Sequence, residues 1–206
     1  MADLIELFPT PLMRFERLVD GAMLQALKAR LLADAALQNS QSAQLSHTRI
    51  LDPAGDELLQ QLAQLVTPKV VEFGTHLFGE ALEWRVKELW ANVLNTGGRQ
   101  GVHNHANSFV SGVIYLSESH PSARTVFMRG LGGRDFAFTN TNANSSTGPF
   151  NADKWLAPEP EPGDMLLFPS YLLHEVPVNQ GGQRFSLAFN AIPRRLDAWG
   201  YSISFN

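Results

Sequence analysis

The sequence predicts a mostly β protein whose N-terminal helices pack on one side of a sandwich or jelly roll. Two observations lead to this fold class. Apolar residues recur at helical spacing through roughly the first 80 positions. From Ala81 onward they alternate with a period of two, in seven or more short segments separated by Gly, Pro and Asn. So many short strands in one stretch are typical of a two-sheet or closed β architecture.

The composition fits one domain over residues 1–206, with a helical part at 1–80 and the β structure at 81–206. The chain has a formal net charge of −4 and 44% hydrophobic residues, and a chain of this size buries roughly 70% of its unfolded surface without disulfides. The lack of cysteine excludes thiolate nucleophiles, iron–sulfur clusters and Cys-type zinc sites, and it agrees with a cytoplasmic location. Metal chemistry must therefore come from histidines and carboxylates.

Three helices are predicted in the first part of the chain. The first begins after a capping Asp20 and continues to about Gln38, and the second begins near Asp56. The Thr-Pro pair at Pro68 predicts a break, because proline is costly inside a helix and favoured at its first position. A third helix is therefore expected from this pair to about Gly79.

The remaining segments divide into strands, a connector and a long loop. The polar stretch 39–53 is interpreted as a connector between the first two helices, and Trp90 is interpreted as a core residue. The Asn-rich segment 139–155 has neither period, so it is a disordered insert or a lid over a site. The predicted strands lie within segments 81–95, 110–116, 123–128, 164–170, 173–179, 184–192 and 201–206.

His103 and His105 form a candidate metal-binding pair. Two residues apart on an extended strand, their imidazoles lie on one face, where they can share a metal ion. An isolated pair of this kind is more often structural than ligating. The pair gains weight because His174 follows 71 residues later, ahead of a strand that contains an arginine.

Arg184 and Ser186 share one face of the strand that follows His174, while the apolar side chains within 185–189 take the other face and are expected to pack under the N-terminal helices. The turn residues 179–182 predict a hairpin that places this strand beside that of His174. An inward arginine needs an anion, and no acidic residue alternates in phase with it. A bound carboxylate is the natural partner; the alternative is a solvent-exposed rim position.

In combination these motifs resemble the non-haem Fe(II), 2-oxoglutarate-dependent oxygenases. GDMLLFPSYLLHEVPVN followed by GQRFSLAFN is the more specific half, and ANVLNTGG with HNHANSFVSGVIYL is similar to a small bacterial and phage branch of that superfamily. The resemblance covers nearly the whole chain. It implies a double-stranded β-helix whose open mouth holds iron, with Fe(II) and 2-oxoglutarate as cofactor and cosubstrate. It also implies a hydroxylase acting on a C–H bond of an amino acid, peptide, protein side chain or small metabolite.

The resemblance assigns roles to individual residues. His174 matches the distal iron-binding histidine, and Arg184 with Ser186 matches the Arg-x-Ser that holds the far carboxylate of 2-oxoglutarate. Tyr115 stands where a tyrosine would hydrogen-bond the same carboxylate. Asn92 either points into the barrel near the cosubstrate or satisfies a neighbouring backbone group.

His103 falls at the first ligand of the family's His-x-Asp/Glu motif, and His105 departs from that motif because a carboxylate is expected there. Three alternatives remain open. In the first, three neutral imidazoles bind the metal, which leaves the site one unit more positive than a two-His-one-carboxylate triad. In the second, only one of the pair ligates and water takes the third place. In the third, a remote carboxylate such as Asp135 completes the set. The first is preferred.

Two other functions compete with the oxygenase. A cupin-like metalloenzyme would use three histidines directly on its substrate, but this leaves Arg184 without a required role. A non-catalytic jelly roll would bind a ligand or a protein, with structural histidines. The mild acidity and the lack of a long apolar run argue against nucleic acid and membranes as partners. A small-molecule or peptide substrate is expected, with the chain a monomer or homodimer.

Overall fold

The computed structural model of the chain describes residues 3–40, 42–130, 140 and 142–205. Within these residues, two antiparallel sheets enclose a common interior, and helices cover the outside of one of them. This is the predicted mostly β fold with N-terminal helices, a double-stranded β-helix.

The α-helices in the described part of the chain are α1 (Gly21–Leu31) and α2 (Glu57–Phe78). The strands are β1 (Met13–Phe15), β2 (Leu37–Asn39), β3 (Ser42–His47), β4 (Trp84–Leu94), β5 (Gln100–His103), β6 (Val110–Tyr115), β7 (Val126–Met128), β8 (Lys154–Leu156), β9 (Met165–Pro169), β10 (Leu173–Val176), β11 (Arg184–Pro193), β12 (Arg195–Ala198) and β13 (Tyr201–Ser204).

The predicted starts of the first two helices are confirmed. The Asp20 side chain accepts a hydrogen bond from the amide of Met23 at 2.8 Å, and the Asp56 side chain caps α2 in the same way. The predicted end of α1 is wrong. The helix stops at Leu31 rather than near Gln38, because the residues that follow turn and pair in the β2–β3 hairpin.

The predicted break at Pro68 is also wrong, since α2 runs through the proline to Phe78. The buried positions Val66 and Val70 on either side of Pro68 lie on one apolar face. Burial of this continuous face against the sheet outweighs the local cost of the proline, so the second and third predicted helices are one.

The predicted connector 39–53 contains a strand instead. β3 pairs with β4, and His47 lies opposite Asn92. Its polar sequence hid the strand, because two of its residues are exposed and His47 lines a cavity instead of an apolar core. The addition of β2 and β3 extends the larger sheet along the wall of the interior.

The larger sheet has the strand order β1-β9-β6-β11-β4-β3-β2, and the smaller sheet has the order β5-β10-β7-β8. The helices pack on the outer face of the larger sheet. There Phe185, Leu187 and Phe189 of β11 join Leu27 of α1 and Leu62 of α2 in one buried cluster, as the alternation of β11 predicts. The opposite face of β11 lines the interior.

The predicted hairpin between the strands of His174 and Arg184 is wrong. β10 pairs with β5 and β7 in the smaller sheet, whereas β11 pairs with β4 and β6 in the larger one. Between them, buried Asn179 exchanges backbone hydrogen bonds with Gly97 and Gly98, so this segment crosses from one sheet to the other. The two strands therefore face each other across the interior.

The Asn-rich segment 139–155 is described only in part, and its last two residues begin β8, which pairs with β7. Asp135 lies outside the described residues. Among the helices that are described, none is long and apolar enough to cross a membrane.

Candidate metal centre

Three histidines converge in the interior. One ring nitrogen each of His103, His105 and His174 lies within 4.8 Å of the others. His103 and His174 are register partners across β5 and β10. The loop after β5 carries His105, whose backbone amide donates to the carbonyl of Ser170 at 2.9 Å. Strand pairing and the backbone hydrogen bond of His105 thus bring all three predicted residues together.

Backbone carbonyls fix the rings of two of these histidines. Nδ1 of His103 lies 2.8 Å from the carbonyl oxygen of Gly101, and Nδ1 of His174 lies 2.9 Å from that of Leu172. A carbonyl oxygen only accepts, so each Nδ1 carries the proton and donates it. Each Nε2 therefore keeps its lone pair, as a metal ligand requires.

His105 is held by side chains instead. Its Nδ1 lies 2.6 Å from Oδ1 of Asn190 and 2.9 Å from Oγ of Ser111. Asn190 in turn donates from Nδ2 to Oε1 of Glu88 at 2.7 Å. The hydroxyl of Ser111 also bonds that of Ser170 at 2.8 Å, so the imidazole sits at the end of a polar network.

Burial keeps two of the imidazoles neutral. Burial lowers the pKa of His174 to about 3, and the adjacent His103 adds to the effect. Burial also lowers the pKa of His105, against the opposing influence of its hydrogen bond to Asn190. Neutral imidazoles are the ligating form, so metal binding at these two residues does not have to displace a proton at neutral pH.

The histidines lie on a cavity of about 410 Å³ between the two sheets, a size typical of small-ligand sites. Alternate residues of β4 and β11 form one wall, from Arg184 at one end to Glu88 at the other. Apolar side chains of Phe168 and Val176 line other parts of it. The cavity thus joins a cationic end, the histidine cluster and an acidic end.

Arg184 is buried at 5% exposure and projects into this cavity. Its Nη1 donates to Oγ of Ser186 at 3.0 Å, but its Nε has no hydrogen-bond partner. Within the described part of the chain, no carboxylate pairs with it. A buried guanidinium with free donors is costly unless an anion arrives, so the residues present fit the carboxylate group of a ligand.

Tyr115 lies behind this arginine. Its side chain is fully buried, its ring centroid is 5.2 Å from Cζ of Arg184, and its hydroxyl lies 3.5 Å from Oγ1 of Thr125. This contact supports the guanidinium from the side of the core. A direct bond from Tyr115 to a ligand stays a prediction. Asn92 lines the cavity beside Ser186, its register partner.

The sequence interpretation missed several residues of this cavity. Trp90 was expected in the core, but it lines the cavity with its ring centroid 5.5 Å from that of His105. Alternation from Asn92 along β4 is the signal that indicates this face. His47 also lines the cavity, and no sequence signal pointed to it, because its strand was interpreted as a connector. The hydrogen bonds of Ser111 and Asn190 to His105 depend on strand pairing.

Three converging histidines and a buried arginine with an unpaired donor in one jelly-roll cavity form the donor set that a metal-dependent enzyme with an anionic ligand requires. Residues 88–190, half of the chain, match the protein family described as "Putative 2OG-Fe(II) oxygenase". The chain belongs to this family, and the family resemblance in the sequence is confirmed. The expected metal and cosubstrate, Fe(II) and 2-oxoglutarate, are those of the family.

Similar solved structures share the fold at low sequence identity. HygX from Streptomyces hygroscopicus, crystallised with nickel and 2-oxoglutarate, is 14% identical with a TM-score of 0.63, covering 90% of this chain and 84% of HygX. SnoN, a non-heme alpha ketoglutarate dependent epimerase from nogalamycin biosynthesis, is 12% identical with a TM-score of 0.65, covering 90% and 80%.

A prolyl-4-hydroxylase from Pseudomonas putida is 19% identical with a TM-score of 0.57, covering 88% of this chain and 92% of the hydroxylase. No curated protein matches the chain. These identities establish the shared fold, while the reaction and the substrate need their own argument.

Proposed function

We propose that the protein is a 2-oxoglutarate- and Fe(II)-dependent hydroxylase acting on a small molecule or peptide. The observation that carries this proposal is the presence, in one cavity, of three converging histidines and a buried arginine without an anionic partner. Membership of the oxygenase family supports the class of enzyme. Hydroxylation as the reaction type is a separate part of the proposal, because one similar structure is that of an epimerase.

In this proposal His103, His105 and His174 hold Fe(II) through Nε2. The donor set supports it, since two of the three Nδ1 atoms donate to carbonyls and the third faces an amide oxygen. When bound, the metal and 2-oxoglutarate together activate dioxygen; the cosubstrate leaves as succinate and carbon dioxide and the substrate C–H bond becomes C–OH.

Arg184 and Ser186 bind the far carboxylate of 2-oxoglutarate and set its direction. The planar guanidinium offers two parallel donors to a carboxylate, and Ser186 fixes the guanidinium from one side. Tyr115 stabilises the charge of Arg184 from behind, and Asn92, which lines the cavity beside Ser186, would contact the dicarboxylate. The cation thus orients the cosubstrate toward the histidines.

The apolar walls exclude water from the reacting groups, and the opposite end of the cavity receives the substrate. Phe168 packs with its ring centroid 4.8 Å from that of His174, which closes that side of the cluster. Trp90 and exposed Ile50 line the other end. An amino acid, a peptide, a protein side chain or a small metabolite fits this position.

The three-histidine set also favours a second candidate, a cupin-like metalloenzyme that acts on its substrate without 2-oxoglutarate. Three imidazoles leave open positions for direct substrate binding. This candidate gives no role to the unpaired donors of Arg184. The hydroxylase accounts for both features and is therefore preferred.

Cosubstrate turnover separates the two candidates. The protein with Fe(II), 2-oxoglutarate and ascorbate should release succinate slowly even without substrate, and Arg184→Ala should abolish this release. Calorimetry should detect 2-oxoglutarate binding to the metal-loaded protein. Metal binding without any affinity for 2-oxoglutarate, and with succinate no higher than in Arg184→Ala, would favour the cupin-like enzyme.

We further propose that residues 1–206 form one oxygenase domain. A cytoplasmic location and a monomeric or homodimeric state stay predictions.

A further inference from the structure

We propose that Glu88 is a positioning residue that acts on the metal site through Asn190 and His105. In this arrangement Glu88 supplies, through two hydrogen bonds, part of the negative charge that a carboxylate ligand would bring. The inference rests on the proposed function, because it concerns the metal held by the three histidines. It explains what compensates for the negative charge that is missing when residue 105 is a histidine instead of a carboxylate.

The chain of contacts is continuous and short. Oε1 of Glu88 lies 2.7 Å from Nδ2 of Asn190, and Oδ1 of Asn190 lies 2.6 Å from Nδ1 of His105. Glu88 is only 23% exposed, and its Oε1 also forms an ion pair with Nζ of Lys87 at 3.7 Å, a longer contact than the 2.7 Å hydrogen bond from Asn190. The direct hydrogen bond therefore couples the carboxylate to the amide, while Lys87 offsets part of its charge.

The acceptor at one end fixes every proton in this chain. A carboxylate only accepts, so the amide nitrogen of Asn190 must face Glu88 and the amide oxygen must face His105. That oxygen also only accepts, so Nδ1 of His105 carries the proton and Nε2 keeps the lone pair. Glu88 thereby selects the ligating tautomer of His105.

Strand register builds the chain into the larger sheet. Asn190 of β11 is the register partner of Glu88 on β4 and of Ser111 on β6, and Ser111 also contacts His105. The other two ligands lack this support. His103 and His174 donate to neutral backbone carbonyls, so among the described histidines of the cluster only His105 has a carboxylate behind it.

This placement matters because three neutral imidazoles leave the site one unit more positive than a triad with a carboxylate. A carboxylate hydrogen-bonded to a ligating histidine raises the basicity of that ligand. The amide of Asn190 relays this effect because polarised hydrogen bonds strengthen one another at low local dielectric. His105, which stands where a carboxylate ligand is expected, is thus the ligand to which Asn190 relays the negative charge of Glu88.

The test measures Co(II) affinity by calorimetry and the visible absorption of bound Co(II). Glu88→Gln keeps an acceptor for Asn190 and removes only the charge, and it should weaken Co(II) binding by about 10- to 100-fold. The matched control is Glu175→Gln, a residue of 24% exposure next to His174 that pairs with Lys154 instead. This control should bind Co(II) as the wild type does.

Two further variants keep the test decisive. Asn190→Ser interrupts the chain while Glu88 remains, so it should lose affinity to a similar extent. Asn190→Asp in the Glu88→Gln background moves the charge next to His105 and should restore affinity and the wild-type Co(II) spectrum. Equal affinity in wild type and Glu88→Gln, an equal loss in Glu175→Gln, or failure of Asp at 190 to restore affinity would overturn the inference. A wild-type protein that binds no Co(II) would overturn the proposed function and this inference with it.

Discussion

His103 and His174 stand directly opposite each other on β5 and β10, with their ring centroids 4.2 Å apart. Each ring donates from Nδ1 to the carbonyl of the residue two positions earlier in the chain, Gly101 for His103 and Leu172 for His174. The same local bond thus fixes both rings before any metal binds. The structure holds two ligands in place in advance, which lowers the ordering cost of metal binding.

Metal ions should stabilise the folded protein through this cluster. At a free Co(II) concentration of 100 times its dissociation constant, linkage adds about 2.7 kcal/mol to the free energy of unfolding. For a chain of this length that corresponds to a rise of roughly 5–11 °C in Tm. His174→Ala should lose this rise in a thermal melt. His120→Ala, which removes a histidine from a turn outside the cavity, should keep it. An equal rise in both variants would place the metal elsewhere.

The sequence allows the local features of this fold to be predicted. The cap at Asp20, the start of a helix near Asp56 and the alternation of Arg184 with Phe185 depend on neighbouring residues alone, and the structure has each of them as predicted. The spacing of His103 and His105 also predicts that their rings converge, and they do, although His105 lies in the loop after β5 and not on an extended strand.

Features that depend on pairing between distant segments could not be predicted in this way. The turn residues after His174 indicate a change of direction, but they do not specify which strand the chain pairs with next. The continuity of α2 through Pro68 depends on the sheet that buries its apolar face. The chain from Glu88 to His105 requires the register of β4 against β11, which no local pattern encodes.

Arg184 should cost stability in the absence of its ligand. Its guanidinium is buried without an anionic partner among the described residues, so Arg184→Met should raise the free energy of unfolding by about 1–4 kcal/mol. The same variant should lose the stabilisation that 2-oxoglutarate gives to the metal-loaded wild type. Urea unfolding with and without 2-oxoglutarate measures both effects. Arg194→Met, at an exposed arginine paired with Glu83, is the control and should change little. A less stable Arg184→Met protein would contradict the prediction.

Asp164 should contribute stability that depends on pH. Its buried carboxylate accepts from Nη2 of Arg14 at 2.6 Å and from the backbone amides of Arg17 and Glu161. The backbone and Arg14 hydrogen bonds outweigh the effect of burial and hold the pKa of Asp164 below its ordinary value. Asp164→Asn should therefore lower the free energy of unfolding by about 1–3 kcal/mol at pH 7.

The pH dependence of this difference follows from the sign of the shift. Because the folded pKa is lowered, the contribution of Asp164 is complete above the unfolded value of about 3.9 and disappears as the pH falls through the folded pKa. Denaturant curves should show a constant difference between wild type and Asp164→Asn at pH 5–8 and a smaller one below about pH 4. Glu161→Gln, in the exposed pair with Arg17, should cost less than about 1 kcal/mol throughout. A difference that grows toward low pH would contradict the assignment.

Substitution of Gly112 should destabilise the protein, because the ring of Phe189 lies against it. The backbone conformation of Gly112 itself is ordinary. A Cβ at this position of β6 would lie 2.2 Å from Cζ of Phe189, its fully buried register partner on β11. Gly112→Ala should lower the free energy of unfolding by about 1–3 kcal/mol in urea, since overpacking displaces the ring. Phe189→Leu alone opens a cavity and should also destabilise, but in the Gly112→Ala background it makes room for the methyl group. The double variant should therefore lose less free energy of unfolding than the two single variants lose together, because the two neighbouring substitutions compensate each other.

Gly21→Ala, where nothing lies within 4 Å of the added atom, serves as the control and should not destabilise the protein. Additive losses in the double variant would show that the methyl group is accommodated without moving Phe189.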